Sequence, residues 1–490
     1  MYVMENRETN VDNKTKRQRL AKKFKDIEEN VYSLRPSICR YMKCRKRTAR
    51  HLDDKPFDQL PVISTKRGSF APLPLEVILR ILSHASLHSL GILTLSSKEM
   101  RNLVLMYVYS KEGYKRVVPS ITTAADAEEF NSQEFKEESK QCQKHYSQLG
   151  IMLKRSTCLF STRERLSQVG KILDQLRDSH VKICTELGSD LAYSCYGIFL
   201  HAFIAGWEDD EKVKAFQAIK GASLLEERIG HVMKSKPASL SGYERYVRVF
   251  CKEIFLNKST LADKSFWLAQ ILKPYPIYFQ ARLMFILFGP TEPDGENILW
   301  AQMAMTSTSI SQDLMELSNA FQIFQSDVRG LWSSDDIISL FDEITVISTE
   351  WDIENVAIFL KLCGDSMCCE VLGNKAINGR LSELSYIMYY MWQYCSRSNL
   401  TAVQLKKEQE WYVALMQHLG KLLPRCKDHR DFVQQIFTIW EDYMMETLED
   451  HGDNDSQVSL QDDERIRFKE SLQSLTSLTT TLLTREMRFK

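Results

Sequence analysis

From residue 140 onward, apolar residues recur at i, i+3, i+4 and i+7 in window after window. This period limits what the chain can fold into more than any other feature. Leu166, Val169, Leu173 and Leu176 make one such stripe; Tyr243, Tyr246, Val247, Phe250 and Cys251 make another; Leu384, Ile387, Met388 and Met391 make a third. Each spacing gathers apolar side chains on one face of an α-helix. Period-two alternation is short and rare, and its best case, residues 344–348, fits a helix end equally well. The fold class expected is all-α. Lys236-Pro237, Lys273-Pro274-Tyr275-Pro276 and Phe288-Gly289-Pro290 separate the helices, because each Pro removes a donor and disfavours helix in the residue before it. The helices so delimited run roughly 10 to 20 residues, an ordinary globular length. No fixed period of roughly 30 to 47 residues is visible, so the reading is a large irregular helical domain, stacked like a solenoid or closed into a compact body.

Length and charge divide the chain further. Its 490 residues, 44% hydrophobic, suffice for one large or two ordinary domains. Lys plus Arg and Asp plus Glu both number 64, so overall charge makes no case for direct nucleic-acid binding. The charge is uneven, however. Residues 1–60 hold sixteen Lys or Arg against nine Asp or Glu, a surplus of seven, and the remainder carries the matching deficit. That segment has weak periodicity and reads as a disordered basic tail. Residues 61–69 read as a linker, 70–110 as a helical module, 111–445 as the large helical domain, 446–464 as an acidic loop and 465–490 as a last helix. The twelve Cys lack regular spacing and the N-terminus lacks an apolar leader, which points to reduced thiols in the cytosol or nucleus. The longest apolar stretch, 191–207, contains Ser194, Tyr196 and His201 and reads as a buried helix rather than a membrane span.

Residues 73–104 carry the functional argument. Pro74 suits a first helical turn and Glu76 the positive end of the helix dipole. Leu75, Ile78, Ile81, Leu82 and Ala85 form one stripe; Leu90, Leu93 and Leu95 supply a second apolar element. Ser96 with Glu99 reads as a capping box opening a third helix that buries Met100, Leu103, Val104 and Tyr107. Three helices this short leave apolar surface that only a partner can cover. The segment resembles an F-box, and Leu73, Pro74, Glu76, Ile78, Ile81, Leu82, Leu90, Leu93 and Lys98 match that family's pattern. Ser96 and Met100 depart from it, standing where an apolar residue and a Trp are usual. The resemblance implies that this surface binds a Skp-family adaptor and, through it, a cullin-RING ubiquitin ligase.

Further likenesses run over roughly residues 70–400. They include Cys195-Tyr196-Gly197, Ala205-Gly206-Trp207, Phe266-Trp267-Leu268, Ile271-Leu272-Lys273-Pro274, Gln280-Ala281-Arg282-Leu283, Asp335-Asp336-Ile337-Ile338-Ser339-Leu340 and Lys375-Ala376-Ile377-Asn378-Gly379. They are similar to a meiotic branch of the F-box family. That likeness implies a nuclear protein of meiotic prophase with a chromosomal or telomeric protein substrate. A three-helix F-box followed by the large helical domain would then be a substrate receptor. The alternative is a helical interaction protein of the meiotic nucleus that stabilises a partner and carries a weak or vestigial F-box.

Signals for chemistry are set aside on physical grounds. Cys363, Cys368 and Cys369 have no nearby His to complete four metal ligands and read as buried thiols. Asp335 and Asp336 after Ser333-Ser334 suit a helix N-terminus, and Asp342 with Glu343 a solvated helix turn. Gly373-Asn374-Lys375 lacks P-loop spacing. Trp207, Trp267, Trp300, Trp332 and Trp351 read as core. No enzyme, metal or cofactor is expected. In the basic tail, Lys16, Arg17, Lys22 and Lys23 and the later cluster Arg45, Lys46 and Arg47 are candidates for a nuclear-import signal.

Overall fold

A computed structural model describes residues 73–118, 133–180, 189–305, 310–395 and 401–422, with the short pieces 438–439 and 441–442. The basic tail with its import candidates, the linker, the acidic loop and the last helix lie outside the described residues. Pro74–Lys490 clusters as one unit, and its described part is built as follows.

Three short helices come first: α1 (Leu75–His84), α2 (Leu87–Ser96) and α3 (Lys98–Tyr109). α4 (Lys111–Val117) closes this group, followed by α5 (Gln133–Ser156), α6 (Thr162–His180) and α7 (Ser189–Ile204). Then come α8 (Asp209–Ala222), α9 (Leu225–Lys234), α10 (Ser241–Cys251), α11 (Leu261–Leu272) and α12 (Ile277–Phe288). The last group is α13 (Ile310–Asp313), α14 (Met315–Gln325), α15 (Ser334–Ile344), α16 (Ile353–Cys363), α17 (Asp365–Ile377), α18 (Leu381–Cys395) and α19 (Ala402–Leu422). Among the described residues there is no strand, only one isolated antiparallel bridge between Thr291 and Ile298. The proline signals fall where expected, after α9, between α11 and α12, and after α12. α7 is the buried helix read from 191–207, and the 344–348 pattern is the end of α15 and the turn after it.

Packing is local along the chain. α10 meets α12, α12 meets α14, α14 meets α16, α16 meets α18, and α17 meets α19. Successive helices so cover one another's apolar stripes, most often two positions on and, for α12 and α15, three on, the arrangement of an α-solenoid. One aromatic cluster, Phe216, Phe255 and Trp267, has ring centroids 5.1 and 5.2 Å apart along the series. Another stacks Phe341 on Phe359 at 5.1 Å, with Trp351 5.4 Å from Phe359. All five tryptophans read as core are buried. α5 and α7 approach closely: a Cβ on Gly150 would lie 2.5 Å from the Phe199 carbonyl oxygen. Glycine is required there for close approach, not for turning.

Two local readings are corrected. The cap of α3 is Ser97, whose hydroxyl accepts from the Met100 N–H at 3.1 Å. Ser96 is still helical, in the last turn of α2, and its hydroxyl donates to the Leu93 carbonyl. Asp342 is no freely solvated carboxylate. Lys375 Nζ reaches it at 2.9 Å and Arg380 at 2.6 Å, because the nearly buried Lys375 ammonium needs counter-charges. Asp336 does close a capping box with Ser333 at the start of α15.

Candidate protein-docking surface

Hydroxyl caps and one arginine set the geometry of the first three helices. Ser86 accepts from the Ser89 N–H at 3.1 Å to open α2, and Ser110 accepts from the Gly113 N–H at 3.1 Å to open α4. These bonds satisfy amides that no helical carbonyl can reach. At the other end of α1, the Arg116 guanidinium on α4 donates to the Leu82 carbonyl at 3.3 Å and the Ala85 carbonyl at 2.7 Å. Arg101 on α3 donates to the Thr94 carbonyl near the end of α2 at 3.2 Å. Carbonyls at the C-terminal ends of both helices therefore meet cationic donors, the favourable pairing there. His145 on α5 bonds the Val117 carbonyl at 2.9 Å. The carbonyl can only accept, so this ring nitrogen carries the proton.

The nine pattern residues separate into two sets on this frame. Ile78, Leu82 and Leu90 are almost fully buried and, with Leu87, Leu103, Val104 and Tyr107, form the core of the module. Leu73 and Leu93 are half-buried; Pro74, Glu76, Ile81 and Lys98 are exposed. Ile81 is 45% exposed, and Val77, one turn earlier on the same face of α1, is 42% exposed. On α2, Ile92 and Leu95 are 51% and 55% exposed and share a face at i, i+3 spacing. Val77 and Ile92 were missed by motif matching. Helical phase finds them, since each lies one residue from a buried position and off the inward stripe.

The other side of α2 is already covered. A Cβ on Gly91 would meet the Met152 backbone of α5 at 3.4 Å, ordinary contact distance, so α2 lies flush on α5. The module is thus held from behind by α5, internally by its own core and at its ends by caps. Four large apolar side chains are left facing water within about twenty residues. Burying one such side chain is worth about 1.5–3 kcal/mol. A surface of this kind can hold a protein.

Elsewhere, no group of three or more His, Cys, Asp or Glu suited to a metal ion occurs among the described residues. Cys363 and Cys368 are buried, and burial pushes both thiols up, away from the thiolate that binds metals. No helix of the described residues is long and apolar enough to cross a membrane.

Comparison with known proteins places this geometry. Residues 221–489 match the family described as FBXO47, ARM repeats. The mouse protein F-box only protein 47 is 32% identical over 401 residues, 81% of this chain and 86% of its own length. The human protein of the same name is 30% identical over 393 residues, 79% of this chain and 83% of its own. No solved structure matches. The repeat match corrects two sequence readings: a repeat architecture exists despite the absence of a visible fixed period, and the likeness extends beyond residue 400.

Proposed function

The chain belongs to the family of F-box only protein 47, and from that premise we propose that it is the non-catalytic substrate receptor of a Skp-cullin-F-box ubiquitin ligase. The exposed quartet Val77, Ile81, Ile92 and Leu95, on a module whose own core is already satisfied, carries the proposal. The adaptor covers this face, and the adaptor in turn holds the cullin and its RING subunit. The described helices within the repeat match of 221–489 present the surface for a chromosomal or telomeric protein substrate, as stacked helices do. The receptor then works by proximity, raising the effective concentration of substrate lysines at a ubiquitin-charged enzyme.

The protein acts in the meiotic nucleus, and its basic tail takes it there. Changing Lys16, Arg17, Lys22, Lys23, Arg45, Lys46 and Arg47 to Ala should move a fluorescent fusion to the cytoplasm; a mutant that stays nuclear contradicts this role. One observation favours a second reading, a partner stabiliser outside any ligase: the position of Ser96 is exposed and hydroxylated where an apolar contact would help adaptor binding. Affinity purification of the full chain from germline tissue, with mass spectrometry, separates the two. Recovery of Skp adaptor and cullin together is the expected result. Chromosomal proteins without either would establish the second reading instead.

A further inference from the structure

α5 and α7 lie close enough for two thiols to meet between them. The Cys195 S–H on α7 donates to the Cys142 sulfur on α5 across 3.6 Å. Cys195 is fully buried, whereas Cys142 is half-buried. Both are free thiols.

We propose that Cys142 and Cys195 are a reversible modification site, oxidised by a peroxide to a disulfide that ties α5 to α7. Geometry supports this first. A disulfide needs its sulfurs about 2.05 Å apart, so closure from 3.6 Å asks for a shift of roughly 1.5 Å. Reactivity supports it next. The hydrogen bond from Cys195 holds the Cys142 thiol below its ordinary value, against the effect of burial. Donation of that bond and burial push the Cys195 thiol well up. The two sulfurs are therefore unequal: one is an accessible nucleophile, the other a shielded thiol in contact with it. That pairing of an attacking and a resolving cysteine is what a redox-sensing site requires. Cys251, by contrast, is fully buried, and burial pushes its thiol up to about 12.

The chemistry balances with hydrogen peroxide as oxidant. The Cys142 thiolate attacks one peroxide oxygen; an S–O bond forms, the O–O bond breaks, and hydroxide leaves to become water. Cys142 is then a sulfenic acid. Cys195 loses its proton and attacks that sulfur; the S–S bond forms, the S–O bond breaks, and a second hydroxide leaves as water. Two thiols give up two electrons, and a small-molecule thiol reductant returns them by exchange. The bond closes a loop of 53 residues, which constrains the unfolded chain and raises stability. It also fixes α5, the helix on which α2 rests.

The test uses the purified full chain. It is exposed to hydrogen peroxide, alkylated, and digested with trypsin and then chymotrypsin, which separates Cys195 from Cys184. The expected result is a linked pair of peptides carrying Cys142 and Cys195, lost on adding dithiothreitol, with an upward shift in melting temperature that the same reductant reverses. In Cys195→Ser, dimedone should instead capture Cys142 as a sulfenic acid. The proposal is overturned if both thiols remain alkylatable at a peroxide dose that oxidises the exposed Cys158, or if Cys142 is linked elsewhere. Because the linkage is mapped in the unsubstituted chain, a variant that fails to fold leaves that result standing.

Discussion

His201 shows what one side chain does in this array. Its Nε2 donates to the Ile254 carbonyl at 3.0 Å, in the π-helical segment Lys252–Leu256 that follows α10. Burial holds its pKa below the ordinary 6.5, although Asp263 pulls the other way. The unfolded chain therefore takes up a proton that the folded chain refuses. Stability should fall as pH drops below about 6.5, until the depressed folded value is reached. Urea midpoints measured between pH 7.5 and 5.5 should show this decline. His201→Gln keeps an N–H for Ile254 and should flatten it; an unchanged slope in that variant would rule out His201 as the source.

Glu244 and Arg282 make a second residue-scale case. Both side chains are almost wholly buried, 3.7 Å apart. Glu244 also accepts from the Trp300 indole at 3.0 Å and the Ala238 N–H at 3.2 Å, while Arg282 donates to the Ser235 carbonyl at 2.7 Å. Breaking such a pair from one side strands a buried charge and costs about 3–5 kcal/mol. Arg282→Met should lose that much in denaturant unfolding. Adding Glu244→Gln should restore a large part of it, and strict additivity of the two changes would contradict direct coupling. The sequence marked Arg282 only as part of a family likeness. Its partner lies 38 positions away on another helix, a pairing that no local pattern encodes.

At the scale of elements, the module of α1 to α4 depends on its end contacts. α1 has only ten residues, too few to hold together alone in water. Arg116 closes its last carbonyls from α4. Removing that exposed guanidinium in Arg116→Ala should cost about 1 kcal/mol. The loss should appear as faster amide hydrogen exchange over residues 82–87, with α16 and α18 unchanged. Exchange that rises equally across the array would mean that Arg116 acts globally. The burial of Ile78, Leu82 and Leu90 was legible from a simple period, but Ile81 and Leu95, read on the same stripes, are exposed. The boundary between α2 and α3 was legible only to within one residue: Ser96 and Ser97 are both competent caps, and backbone geometry chose the second. Arg116 was not legible at all, since a cap supplied from 34 positions away leaves no local trace.

For the whole molecule, helical content was readable because it rests on local periodicity. The repeats were not. Helices from 4 to 24 residues and connections of varied length blur any fixed period. In the proposed role, the outer face of α1 and α2 takes the Skp adaptor while the inner face holds the module together. Binding of purified full-length protein to purified Skp adaptor, by titration calorimetry, tests this most directly. Ile81→Asp places a carboxylate at an exposed position, so the fold should survive. The lost apolar burial and the stranded charge together should weaken binding by about 100-fold or more. Ile81→Asp binding within twofold of the unsubstituted chain, or no binding by the unsubstituted chain itself, would contradict the account.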